Sequence, residues 1–295
     1  MSQLLGILHG REETFPPALL AELNGRQADV HGESLTLSSV EALERSPYRL
    51  LVDRISSRVP YFRSFVRQQH LLGVPALPAL ELGDLDRVGL AQLALQARVQ
   101  ALPTILLPHH SHPAGVVGDD LSNLAYPMPW DTYLRQMGLP VGLRAARPGG
   151  GPIFRVGSLS ELWAAYGKSG DGLMVVQPDM SEAEHLMALV AGQHVEVLGF
   201  DPLSSRYRPA PTELVAPVLE ACRKLNEKND FSFTGLEFAW HRNKLWLSDL
   251  HLTPDLEWWS LGEEAFSRVV ANCAEELIRR TAPKKTPKAK KTRNQ

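Results

Sequence analysis

Residues 233–252, FTGLEFAWHRNKLWLSDLHL, constrain the fold more than any other stretch of this chain. Two apolar, aromatic-rich runs flank Arg242-Asn243, and the pattern reads as a β-hairpin turning near those two residues. An apolar hairpin must bury its faces, so the rest of the chain has to supply covering layers.

The N-terminal third supplies an α/β pattern. Residues 3–9 read as a buried strand, and PPALLAELN has helical spacing with Pro16 and Pro17 at its start, where proline is tolerated. Residues 49–53 form a second strand, 61–71 a helix that Gly73 ends, and VPALPAL an extended segment. This β-α-β order predicts a small open α/β module over residues 1–78.

Beyond it, residues 84–101 read as a helix with Asp84 as its N-cap, and LPTILLPH as a strand. Residues 108–130 read as a long ordered loop and 131–138 as a short helix. PVGLRAA, RPGGG and PIFRVG follow as strand, glycine-rich turn and strand. Ser158 and Glu161 have capping-box spacing at the start of SLSELWAAYG. GLMVVQPDM is a buried strand, residues 193–200 and 206–208 are further strands, and residues 212–228 and 262–279 are helices. The fold class is α/β (α+β). Residues 79–281 make one larger body, and 282–295 a low-complexity tail expected to be disordered.

Charge separates body from tail. The tail, APKKTPKAKKTRNQ, holds five Lys, one Arg and no acid, so a chain of net charge −2 carries −8 over residues 1–281. A folded nucleic-acid reader needs a basic body, which places nucleic acid outside the expected partners except through the tail. Only Lys168, Lys224, Lys228 and Lys244 lie outside the tail; base composition of the genome is the plain explanation. No apolar run is long enough to span a membrane. MSQLLGILHGREE is too short and lacks the basic lead of a signal peptide, which favours the cytoplasm. Cys222 and Cys273 read as buried free thiols.

Five constellations could carry chemistry. Gly149, Gly150 and Gly151 between two strands can bring backbone N–H groups to phosphate oxygens, with Arg144 and Arg147 nearby; a hairpin tip is the plainer reading. Glu237 and Asp249 on adjacent strands, with His251 two residues on, could hold Mg²⁺, or could be solvated acids paired with His241 or Lys244. His109, His110 and His112 read as hydrogen-bonded loop histidines rather than zinc ligands. Arg54, Arg58 and Arg63 in DRISSRVPYFR could grip an anionic substrate, or a domain interface. PDLEWWSLGEEAF carries Trp258 and Trp259 for packing or a lid, with Ser260 and Glu263 at capping-box spacing.

Together these segments resemble the ATP-grasp superfamily, on the side of glutathione synthetase and the ribosomal-protein glutamate ligases. The carrying stretches are residues 53–63, 105–113, 122–130, 147–151, 236–250 and 254–266. The resemblance implies two subdomains grasping ATP, with the N-terminal module beside the acceptor site. It implies an ADP-forming carboxylate–amine ligase working through an acyl phosphate, with ATP and Mg²⁺. Carried over, Arg87, Arg144, Gly149, Gly150, Gly151 and Gln177 would bind the nucleotide, Glu237 and Asp249 the metal, and Arg54, Arg58 and Arg63 a small-molecule or peptide carboxylate.

The sequence departs from the family pattern at several points. Arg87 and Arg144 stand where lysines are usual, and Pro178-Asp179 follows Gln177 where Glu is usual. An expected Arg falls near Leu186-Met187, and the Asn ligand after Asp249 is missing, with His251 and Leu252 as candidates. The alternative is therefore a non-catalytic protein of the same fold, serving as a binding partner or regulator. Self-association, as in related enzymes, is a further expectation.

Overall fold

The computed structural model describes residues 2–282 apart from Gln27 and Tyr126; all but the first residue of the basic tail lies outside the described residues. The chain forms three sheets and eight α-helices among those residues.

The first sheet is wholly parallel, in the order β2-β1-β3-β4. Its strands are β1 (Gln3–Leu8), β2 (Val30–Ser34), β3 (Leu50–Asp53) and β4 (Ala76–Leu77). Helices α1 (Phe15–Gly25) and α2 (Pro60–Leu71) make two of the crossovers; Pro16 and Pro17 stand in the first turn of α1 as expected, and α2 starts one residue earlier than expected, on Pro60. Strand β2 was not expected. Its sequence, VHGES, is polar at alternate positions because only Val30 and Gly32 are buried, so composition hides the strand.

Helix α3 runs over Arg87–Gln96, shorter than the expected 84–101. Its cap is Asp86, which accepts from the Gly89 N–H at 2.7 Å. Asp84 lies in a 3₁₀ turn (Leu80–Asp84), and its carboxylate pairs with Arg63 and Arg67 instead.

The second sheet is antiparallel and four-stranded, in the order β5-β8-β6-β7. It comprises β5 (Ile105–Leu107), β6 (Val141–Ala145), β7 (Ile153–Val156) and β8 (Met174–Pro178). Helix α4 (Trp130–Met137) precedes β6. Helix α5 (Leu159–Gly167) follows β7, capped by Ser158 as the spacing predicts. Loop residues His109 and His110 are held locally: His109 Nδ1–H donates to the Asp171 carbonyl, and His110 stacks edge-on to Tyr166.

The third sheet is antiparallel and five-stranded, β11-β10-β9-β12-β13. It comprises β9 (Glu184–Ala191), β10 (His194–Asp201), β11 (Arg206–Pro209), β12 (Thr234–His241) and β13 (Lys244–His251), with α6 (Thr212–Asn226) before β12. The hairpin read from the sequence is β12-β13. Arg242 and Asn243 take φ of 49° and 60°, the paired left-handed values of a two-residue type I′ turn. The central strand β9 escaped the sequence reading, because EHLMALVA is almost continuously apolar after its first two residues and shows no alternation.

Helix α7 (Trp258–Leu261) and helix α8 (Glu263–Thr281) end the described chain. Gly262, at φ 76°, separates them, so Ser260 does not cap α8; its hydroxyl donates to Asp255 at 2.6 Å. Trp258 and Trp259 stay about half exposed rather than packed.

One apolar core joins the parallel sheet to the five-stranded sheet. Leu5, Phe15 and Leu19 share it with Met187, Leu198, Ala265 and Leu277. Each fully buried Leu, Phe or Met among them contributes roughly 1.5–3 kcal/mol. Helices α3 and α6 cover the other face of the five-stranded sheet. Both cysteines are buried and free, and burial pushes each thiol up to about 12.

Candidate functional site

A cavity of about 1280 Å³ lies between the four-stranded and five-stranded sheets. Typical small-molecule sites hold ~300–1,000 Å³, so this one has room for two ligands. One wall comes from β6, β7, β8 and the glycine turn, the other from β9 to β13, and Ser57 and Arg58 reach its edge.

The glycine turn folds onto a carboxylate. Gly149, Gly150 and Gly151 take φ of 104°, 89° and 92°, values that side chains rarely adopt. This conformation turns two N–H groups toward Asp249: Gly149 donates to Oδ1 at 3.2 Å and Gly150 to Oδ2 at 3.1 Å. Arg87 and Arg144 donate to the same Oδ2 at 2.5 and 2.8 Å. Arg87 also donates to the carbonyls of Ala145 and Arg147, tying α3 to the turn. Burial lowers the Arg87 pKa, and the Asp249 charge opposes that shift. Four of the five expected phosphate ligands, all but Gly151, thus converge on one carboxylate inside the protein. Arg144 and the glycines line the cavity; Arg87 and Asp249 lie behind its wall.

Glu237 stands directly opposite Asp249 in the β12-β13 register. The register slips after this pair, leaving Ser248 as the extra residue of a bulge, and its hydroxyl reaches the Glu237 carbonyl and Oε1. His251 Nε2 lies 3.0 Å from Glu237 Oε2, and His185 Nδ1 lies 3.3 Å from Oε1. Burial alone would raise the Glu237 pKa; its hydrogen bonds to His185 and His251 outweigh that and hold it well below the usual carboxylate range. Neither His241 nor Lys244 pairs with these acids.

Glu237, Asp249 and His251 each offer one ligand atom, all within 4.8 Å of one another, and no other such group occurs among the described residues. Two carboxylates suit a divalent cation. The third donor, an imidazole nitrogen, suits Mg²⁺ poorly, because Mg²⁺ takes oxygen ligands. Of the two candidates for the missing Asn, His251 shares the Asp249 face of β13 and offers a donor atom there.

Gln177 on β8 lines the cavity. Its amide donates to Thr104 at 2.9 Å, and its Oε1 is buried with no partner among the described residues. A buried orphan acceptor costs about 1–3 kcal/mol, so the atom is suited to receive a ligand donor. Asp179 pairs with Arg155 at 2.8 Å on the same wall.

The three arginines of residues 53–63 separate. Arg58 lines the cavity edge. Arg54 is buried against Glu12 and donates to the Pro254 carbonyl at 2.7 Å. Arg63 pairs with Asp84. Leu186 and Met187, where a cation was expected, are buried and apolar. The nearby basic side chains are His185 and Arg208, neither of which is apparent from the sequence. Recognising β9 would have revealed His185, since it alternates with Met187 on the cavity face.

No family model matches the chain, and no curated protein matches its sequence. Solved structures do match its fold. A RimK domain protein ATP-grasp from Sphaerobacter thermophilus superposes with TM-score 0.66 and 13% identity, over 92% of this chain and 98% of the other. A D-alanine–D-alanine ligase from Bacillus anthracis complexed with ATP gives 0.64 and 11%, over 95% and 97%. The ATP-grasp ligase PsnB, with minimal precursor, Mg and ADP, gives 0.60 and 9%, over 95% and 98%. At this identity the likeness establishes the architecture alone.

Proposed function

On a chain with the ATP-grasp fold, we propose that the cavity binds ATP and a carboxylate substrate and joins that carboxylate to an amine. The observation that carries this reading is the cradle around Asp249. Two guanidinium groups and two glycine N–H groups already bind an internal carboxylate, and a phosphoryl group offers the same acceptor oxygens with more charge.

In this reading Arg144 and the Gly149–Gly151 amides hold the phosphates, with Arg87 bracing the turn from behind. Gln177 Oε1 accepts from the amino group of the base. Residues 1–78 flank the acceptor, where Arg58 faces a small-molecule or peptide carboxylate; Arg54 positions the 254–257 segment rather than touching substrate. The substrate carboxylate attacks the γ-phosphorus, ADP leaves, and an amine displaces phosphate from the acyl phosphate. Glu237 and Asp249 would hold a divalent cation, which neutralises phosphate charge when bound. The arginines and N–H groups serve the same end by fixed positive charge.

A second reading is favoured by the same contact. If Asp249 keeps the cradle filled, phosphates are shut out and the protein binds partners without turnover. Calorimetry with ATP and a divalent cation separates the two. Millimolar or tighter binding that Glu237→Ala weakens, followed by ADP release with a carboxylate and an amine, supports the ligase. No binding to the full chain leaves the non-catalytic reading.

A further inference from the structure

A fold neighbour with a named cation, PsnB, carries Mg, yet one of the three donors here is a nitrogen. We propose that Glu237 and His251, with the Asp249 carboxylate behind them, form a site for a divalent cation of borderline softness, of the Mn²⁺, Co²⁺ or Zn²⁺ class, in preference to Mg²⁺. The proposal deepens the ligase reading of this cavity and rests on it for the role of the cation.

Geometry sets the imidazole in a ligand position. His251 lies two residues after Asp249 on β13 and opposite Gly235 on β12. A side chain at 235 would clash with Met187 Sδ at 2.7 Å and press on Pro254 Cβ at 3.1 Å, so close packing beside His251 calls for glycine there. Phe200 meets the ring edge-on, with centroids 5.8 Å apart at 77°. The ring thus cannot easily swing from Glu237, whose Oε2 is 3.0 Å from Nε2. That separation also matches one edge of an octahedral shell with bonds of about 2.1 Å.

Glu237 is prepared for a cation on one oxygen only. His185 Nε2 faces the Met180 carbonyl at 2.9 Å, which only accepts, so that nitrogen carries a proton. Its Nδ1 faces Glu237 Oε1, as does the Ser248 hydroxyl. Oε1 is therefore engaged, Oε2 faces His251, and both residues line the cavity. His185 is a positioning residue.

Donor type, not charge, separates a hard ion from a softer one here. Arg87 and Arg144 offset the Asp249 charge at hydrogen-bond distance. Two guanidinium charges beside one carboxylate weaken the site for every divalent ion, and Mg²⁺, which takes oxygen ligands, gains least from the remaining donors. An imidazole donor adds affinity that rises along the first-row series from Mn²⁺ to Cu²⁺.

The test titrates the full chain with MnCl₂ and MgCl₂ alone by calorimetry, on wild type, His251→Asn and His251→Gln. Wild type is expected to bind Mn²⁺ at least about tenfold tighter than Mg²⁺, with the ratio falling to about threefold in either variant. Pulsed EPR of Mn²⁺ on the wild type should show nitrogen coupling from a bound imidazole, a readout that needs no variant. A ratio unchanged by both substitutions, no nitrogen coupling, or no metal binding to wild type at millimolar concentration overturns the proposal. ADP titrated in parallel without metal separates it from the ligase reading. ADP binding with a His251-independent metal ratio sinks the metal inference alone; His251-dependent Mn²⁺ binding without ADP binding sinks only the nucleotide reading.

Discussion

Arg87 and Asp249 meet at 2.5 Å with neither side chain exposed to solvent. The pair links the first turn of α3 to the edge strand β13 and, through Gly149 and Gly150, to the glycine turn. Removing one partner leaves a buried, uncompensated charge. Arg87→Ala is expected to destabilise the protein by about 3–5 kcal/mol in urea unfolding. The double variant Arg87→Met, Asp249→Leu is expected to cost less than the sum of the single changes, because no charge is stranded. Strict additivity would show that the two residues do not act as a pair.

Gln177 gives the nucleotide reading a test distinct from the metal. Gln177→Ala removes the orphan acceptor Oε1, and with it the bond to Thr104. Nucleotide affinity is expected to fall about tenfold, equivalent to about 1.4 kcal/mol, a typical hydrogen-bond loss. Affinity unchanged in fluorescence or calorimetric titration would place the base elsewhere.

The acid limb of stability should report Glu276. Burial pushes its pKa up, but the pairs with Arg279 and Arg280 outweigh this and leave it lowered; Asp230, also bonded to Arg280, is lowered too. A depressed carboxylate contributes stability above its unfolded value, about 4, and loses it as pH falls through the folded value. Glu276→Gln should therefore lower the melting temperature at pH 7 and flatten its decline between about pH 5 and pH 3. An unchanged slope would reject this role.

The thiols of Cys222 and Cys273, raised to about 12 by burial, are protonated at neutral pH. A thiol-specific reagent at pH 8 is expected to label neither in the native protein and both after denaturation in guanidinium. Rapid labelling of the native protein would mean that α6 and α8 open readily.

Much of the site was legible because it depends on local spacing. Glu237 and Asp249 fall opposite each other once the hairpin and its two-residue turn are recognised. The three glycines announce a backbone that side chains cannot follow. Strands β2 and β9 were hidden for opposite reasons: one is polar on its exposed positions, the other is buried on both faces and shows no period. Losing β9 meant losing His185. The helix start moved from Asp84 to Asp86 because the Asp84 carboxylate is engaged by arginines from α2, a choice made between distant segments.

The sequence alone determined which chemical groups are present and how each lies along its own strand or turn, because alternation, glycine φ and capping are set within a few residues. It placed His251 on the Asp249 face and the glycines at a turn. Only tertiary structure decided what those groups bind. Arg87, Arg144 and Asp249 lie 57 and 105 residues apart in sequence order, and their pairing follows from packing α3 and β6 against β13. An expected phosphate cradle and an expected metal ligand thereby became partners, since two buried cationic groups and a buried carboxylate are each too costly to leave alone.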